Sequence, residues 1–493
     1  MSVLGLHSSR QGGLGGFPQL SPAVRAASAR AARLSIDLPT LIGLAPMLGH
    51  RLDDRCAVAE QQDTDMARRL IRASETPLPD VARRQDFYVA PLDILPFRRD
   101  GQRRFQLLEL NGTGIGGVTN MPVEIVEAIL ETVGEIGDHA PGPAPVVVVA
   151  SSGSESPQER KPSHLLHEKA LFVDRIAQSL RARYGDVEVL ALETLAGMKG
   201  WSASRPTVIL GYSRDLIKHA AIRNGAPLLF GRNIAAIVND RFLLNLTATH
   251  GRLNNDAFLP ANRCYEAGAD KAAAYRLANS FKGGDRFPAV QQPIRFTVAE
   301  TEEALAEAVR ARVAAHELLV IKPSGAGQGD GIEFFLGGED ESRIRDQIGR
   351  SLATVRQRYG SAAGFPYTIA EYLDADVIDA PQHELHGRKF ELRIVVYRHG
   401  SVLRALPSIA KVAPEAWDPA RPTRAALINN VSASVRQAGG GGAAHLLPLC
   451  SHRALALIGL REGELAELCS WSTAYVAHVL AELRGAPADV RRC

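Results

Sequence analysis

A chain of 493 residues, 45% hydrophobic and 23% charged, has enough apolar mass for more than one core, and its length predicts roughly two to four structural units. A net charge of +3 does not call for nucleic acid as a partner, and no apolar run approaches the ~18 residues that a membrane span needs. The five cysteines (Cys56, Cys264, Cys450, Cys469 and Cys493) have neither zinc-ligand nor redox spacing, which predicts reduced thiols in a cytoplasmic protein.

Residues 1–37 read as a disordered leader. Arg10, Arg25, Arg30 and Arg33 stand among Ser, Gly and Ala with no acid through residue 36, a composition that also fits an organelle transit peptide. Residues 38–85 read as helical, Arg-rich from Arg68 to Arg84. Two apolar runs follow, Phe87 to Phe97 and Arg103 to Asn111, and Asp100-Gly101 between them predicts a hairpin. Pro122 then opens a helix capped by Asn120, with Ile125, Ile129 and Val133 on one face, which completes an N-terminal segment over 38–144.

The stretch PGPAP at 141–145 is a linker. Beyond it, VVVVA is a continuous apolar run, as expected of a buried parallel strand, and VEVLAL and PTVILGY repeat the pattern with helical sequence between. This alternation predicts a doubly wound α/β unit over 145–240. From 241 to 445 come a helix at DKAAAYRLANSF and a second helix opened by Thr301, Glu302 and Glu303. Strand ELLVI then enters a glycine-rich turn, followed by YTIAEYL and the alternating strand KFELRIVVYR. Residues 446–493 read as a C-terminal helical segment.

Three segments carry candidate chemistry. In IKPSGAGQGDGI a buried strand ends at Lys322, and Gly325, Gly327, Gly329 and Gly331 follow. Glycines let backbone N–H groups approach an anion and the lysine adds a point charge, so the segment predicts phosphate binding. It is not a Walker loop, whose lysine follows its glycines. The plain alternative is a hairpin tip with one exposed lysine. In LLELNGTGIGG, Glu109 and Asn111 lie two apart and share a strand face, and Asp93 falls opposite across the hairpin. Hard oxygen donors of this kind suit magnesium, although a half-buried hairpin also shows a polar outer face. In GRKFELRIVVYR, Lys389, Glu391 and Arg393 alternate with apolar residues and could line a polar cleft or form a solvent-facing charge ladder. Weaker candidates are Glu371, Tyr372 and Leu373, whose backbone could meet an adenine edge, and the Asn429-Asn430 pair. No HExxH, GxSxG or Cys/His arrangement is present.

Taken together these pieces resemble the ATP-grasp superfamily, an α/β fold. Their order, with the E-x-N segment before both lysines, is similar to the circularly permuted, eukaryotic-type glutathione synthetases. The strand GRKFELRIVV resembles its counterpart in tubulin tyrosine ligase-like enzymes. The resemblance spans roughly residues 85–445. It implies a permuted ATP-grasp fold with an inserted substrate domain, and an ADP-forming ligase that joins a carboxylate to an amine through an acyl phosphate. It assigns Lys271, Lys322, Gly325, Gly327, Gly329, Glu371, Tyr372 and Leu373 to ATP, and Glu109 and Asn111 to magnesium. Arg393 and Lys389 become the catalytic cations. The lid offers Asp330 where the family has a metal-binding glutamate, so Asp93 or Glu391 is the expected third ligand. A small carboxylate and an amine, an amino acid or short peptide, are the implied substrates, with a homodimer as the family's usual state. A phosphotransferase, a carboxylate–thiol ligase and a non-catalytic nucleotide-binding module remain as alternatives.

Overall fold

The structure, a computed structural model, describes residues 63–116, 123–153, 167–190, 204–268, 270–327, 329–359, 364–427 and 446–485. The predicted leader, the Asn120 cap, the Asn429-Asn430 pair and the glycine tract at 438–444 lie outside these residues. The chain has an α/β fold built on three sheets.

The first sheet is antiparallel. Its strands β1 (Thr76–Pro77), β16 (Val402–Val412), β15 (Phe390–His399), β2 (Val89–Arg99) and β3 (Gln102–Leu110) lie in that spatial order, and β17 (Leu446–Pro448) also pairs with β16. The β2–β3 hairpin turns at Asp100 (φ 53°) and Gly101 (φ 74°), the two left-handed residues of a turn that matches strand twist. Of the helix expected through residue 85, the described part holds α1 (Thr64–Ala73), capped by Asp63. The helix ends at the Ser74 cap, Pro77 bars its continuation, and the chain extends into β1.

Alternation divides this sheet into two unlike faces. Phe390, Leu392, Ile394 and Val396 of β15, with Leu92, Ile94, Leu107 and Leu110, pack in one core beneath Leu468, Trp471, Tyr475 and Val479 of α8 (Glu462–Gly485). On the opposite face Val395 and Tyr397 pack towards α2 (Val123–His139), while Glu391, Arg393, Asp93 and Glu109 share the rest of it. Two β-bulges shift the register beside these residues. One leaves Leu108 unpaired between Glu109 and Leu107, and the other leaves Ser408 unpaired between Ile409 and Pro407.

The second sheet has β5 (Glu188–Leu190), β6 (Thr207–Tyr212), β4 (Val146–Ser151), β9 (Arg232–Val238) and β10 (Leu259–Pro260) in parallel. Two strands, β8 (Ala226–Leu229) and β7 (Ala220–Arg223), extend it antiparallel beyond β9. Val147, Val149, Val208 and Leu210 face α2 and α3 (His167–Tyr184), whereas Val146, Val148 and Ile209 face Phe242 and Leu246 of α4 (Asp240–His250). Helices on both sides explain why these strands read as unbroken apolar runs. The sequence did not disclose the antiparallel edge, whose short strands turn at Asn224-Gly225 and Phe230-Gly231.

The third sheet is antiparallel, in the order β11 (Phe296–Ala299), β14 (Gly364–Glu371), β12 (Leu319–Ser324), β13 (Glu333–Phe335). Its outer face buries Leu319, Ile321 and Ile369 under α6 (Glu302–Ala314) and α7 (Glu341–Tyr359). Its inner face carries Val320 and Ala370 into the core of the first sheet, and Lys322 lies two residues beyond Val320 on that same face. Helix α5 (Lys271–Ser280), capped by Asp270, fills the space between the sheets.

Candidate active site

The unlike face of the first sheet is built around Asp93. Register places it between Arg393 of β15 and Glu109 of β3. It is 1% exposed, and such a carboxylate can stay charged only if cations meet it. Arg393 clasps it with two parallel bonds, Nε to Oδ1 at 2.8 Å and Nη2 to Oδ2 at 2.8 Å. Lys411 Nζ and the Asn111 amide each donate to Oδ2 at 2.9 Å. Burial would raise the Asp93 pKa, but Arg393 and Lys411 outweigh it and hold the carboxyl well below its usual range. Burial also opposes the charge of Arg393, and the Asp93 carboxylate more than restores it, so the guanidinium pKa is raised.

Lys411 stands opposite Glu391 across β15 and β16 and forms an ion pair with it. Burial pushes Glu391 up to about 7, with Lys411 pulling the other way and Asp93 adding repulsion. The turn after β3 closes this group: Arg393 Nη1 reaches Ile115 O at 3.4 Å, and Ser408 Oγ donates to Gly116 O at 3.0 Å. Gly116 has φ 64°, and a Cβ there would stand 2.6 Å from Arg393 Nη1, so the turn needs glycine for both reasons. Glu168, in the first turn of α3, accepts the backbone N–H groups of Ile115 and Gly116 at 3.0 and 2.8 Å.

The two predicted ATP lysines approach the same strand from other elements. Lys271 opens α5 and meets Glu109 Oε2 at 3.1 Å. Burial works against its charge, but Glu109 prevails and the pKa is raised. Lys322, 7% exposed, donates to the Tyr275 hydroxyl at 2.7 Å. The glycine-rich loop begins three residues later, at Gly325. Gly325, Gly329 and Gly331 take φ of 66°, 73° and 69°, and no other residue type adopts such values as readily. Arg241 of α4 holds Gly325 O, and Tyr359 Oη accepts the Gly327 N–H at 3.1 Å and donates to Asp330 at 2.9 Å.

Other predicted residues stand apart from this group. Lys389 is four residues before Arg393, about 13 Å along the strand. It donates to Tyr372 Oη at 2.6 Å, pairs with Asp374 and lies 3.4 Å from the Trp417 ring centroid. Burial lowers its pKa, with Asp374 opposing. Glu371 pairs with Arg99 at 2.7 Å, and its N–H donates to Arg295 O. The Tyr372 N–H donates to Leu318 O at 2.9 Å, and Leu373 is buried beside it.

Among the described residues no three His, Cys, Asp or Glu side chains stand together as a ready metal cluster. Asp93, expected as a ligand, has both oxygens engaged by Arg393, Lys411 and Asn111. The hard oxygens of Glu109, Asn111 and Glu391 still suit magnesium, which takes one or two carboxylates and completes its shell with water and phosphate. Sequence reading missed Lys411, Tyr275, Arg241 and Glu168. Lys411 lies next to the last residue of a nearly continuous buried strand, and Tyr275 sits on the apolar face of a helix, so neither showed a local polar signal.

The site is a cluster of cations and carboxylates where two antiparallel sheets and a glycine-rich loop meet in an α/β protein. No family model matches the chain, and no curated protein matches it. Among solved structures it is similar to a "Putative gamma-glutamylcysteine synthetase" from Methylobacillus flagellatus KT, with 11% identity and a TM-score of 0.43 over 94% of this chain and 96% of that one. It is also similar to a glutathione synthetase-like effector from Globodera pallida, with 12% identity and a TM-score of 0.32 over 79% of this chain and 83% of that one. Both scores lie below 0.5, so neither likeness defines the fold; the strands and helices of the chain do. No helix among the described residues is long and apolar enough to cross a membrane.

Proposed function

We propose that the protein is an ATP-dependent carboxylate–amine ligase with a permuted ATP-grasp arrangement. One observation carries the reading. Lys271 and Lys322, 51 positions apart in the sequence, both connect to β3 beside the Asp93–Arg393 pair, Lys271 through Glu109 and Lys322 through Tyr275 and the Leu108 carbonyl. Two lysines, a glycine-rich loop and a buried arginine around one strand end form a binding site for a polyphosphate that also stabilises negative charge as it develops.

In this reading Lys271, Lys322 and the N–H groups of the glycine-rich loop hold the triphosphate. A carboxylate oxygen of the first substrate attacks the γ-phosphorus, and the bond to the bridging oxygen breaks to release ADP. Arg393 offsets charge on the transferring group, using donors beyond the two that Asp93 holds. A neutral amine then attacks the acyl carbon, phosphate leaves, and the amide remains after loss of a proton. Glu109, Asn111 and Glu391 would hold magnesium, which when bound supplies further positive charge at the phosphate oxygens. Asp93 orients Arg393 and Lys411. The loop excludes water, which would otherwise hydrolyse the acyl phosphate.

The test is phosphate release from ATP across a panel of acids and amines. Release should require both an acid and an amine. Lys322→Ala and Glu109→Ala should lower it by at least about a hundredfold, the order lost when a transition-state contact is removed. Release that needs only one co-substrate, or that survives both substitutions, contradicts the reading.

A further inference from the structure

Tyr275 is a fully buried tyrosine whose hydroxyl has two partners in different elements. It accepts from Lys322 Nζ at 2.7 Å and donates to Leu108 O at 3.1 Å. Leu108 is the extra residue of the β2–β3 bulge, skipped in the register between Glu109 and Leu107, and the phenol bonds its carbonyl. The ring lies 5.4 Å from Lys322 Nζ and packs edge-on against Phe296 at 5.5 Å. Lys271 and Tyr275 are one turn apart on α5 and share a face, so a single helix addresses both lysines to β3. The whole chain of contacts runs Lys322, Tyr275, Leu108, then Glu109 and Lys271.

We infer that Tyr275 is a positioning residue that fixes the Lys322 ammonium relative to Lys271 and the metal-binding strand, so that both cations meet one polyphosphate. A lysine carries several rotatable bonds and no fixed fork, so an acceptor that pins its head group removes entropy that binding would otherwise cost. The hydroxyl suits this task because it accepts from the ammonium while donating its own hydrogen to the Leu108 carbonyl of β3. This inference rests on the ligase reading for its nucleotide, though not for the hydrogen bonds themselves.

The experiment compares wild type, Tyr275→Phe and Tyr88→Phe. Tyr88 is a control whose buried hydroxyl bonds His139 Nδ1 at 2.8 Å, away from the lysines. Direct titration with magnesium-ATP is read beside pH-dependent acetylation of Lys322, followed by peptide mass spectrometry. Tyr275→Phe should weaken ATP by about tenfold or more, the effect of losing a hydrogen bond to a charged group, and change the Lys322 acetylation profile. Tyr88→Phe should do neither, even where both variants lose similar thermal stability. Unchanged ATP affinity in Tyr275→Phe overturns the inference. If wild type binds no nucleotide, the ligase reading fails on its own, and an unchanged Lys322 profile in Tyr275→Phe then overturns the inference separately.

Discussion

Asp93 shows how a single buried charge organises its neighbours. Two cations and an amide surround it, and removal of Arg393 would leave one cation where two now offset a carboxylate that is almost fully buried. Arg393→Ala should therefore destabilise the fold by about 3–5 kcal/mol, measured by urea unfolding, far more than removal of an exposed pair such as Arg68–Asp65. Equal losses in the two variants would mean that the Asp93 pairing carries no special weight. The carboxylates of this group were legible because Asp100-Gly101 is a local code for a two-residue turn, and the turn places β3 opposite Asp93. The cations were only partly legible. Arg393 announced itself by alternation, whereas Lys411 lies near the end of a strand buried over most of its length and acquires its role by meeting Glu391 and Asp93.

At the scale of elements, the approach of α5 to β3 depends on a glycine. Gly268, at the end of the short helix Tyr265–Gly268, lies so close to β3 that a Cβ would stand 2.4 Å from Leu110 O. A backbone atom cannot yield as a side chain can, so Gly268→Ala should push α5 away and part Lys271 from Glu109. The expected outcome is a loss of ATP affinity in titration with secondary structure retained by circular dichroism; unchanged affinity would show that α5 needs no such contact. Helix α5 itself was readable from Asp270 and the apolar spacing after it. The bulges at Leu108 and Ser408 were not, because a bulge is fixed by what the partner strand and the neighbouring turn demand. Glu168 was hidden for a similar reason: its partners are backbone N–H groups more than 50 residues away.

For the molecule as a whole, periodicity separated the apolar runs of the parallel sheet from the alternating strands of the other two, since burial on both faces and burial on one leave different patterns. Periodicity says nothing of how sheets meet. That Lys322 faces the first sheet follows from its register on β12, opposite Thr368, and from the core that Val320 and Ala370 share with Leu92. The meeting of these sheets is what makes one site of residues from positions 93 to 411, and the ligase reading stands or falls with it. The most direct measurement uses a carboxylic acid panel labelled with heavy oxygen, ATP, magnesium and pooled amines, with mass analysis of the phosphate released. An acyl phosphate route transfers one carboxylate oxygen to phosphate for each amide formed, and that one-to-one label is the predicted result. Amide formed with unlabelled phosphate, or phosphate released without amide, would contradict the account.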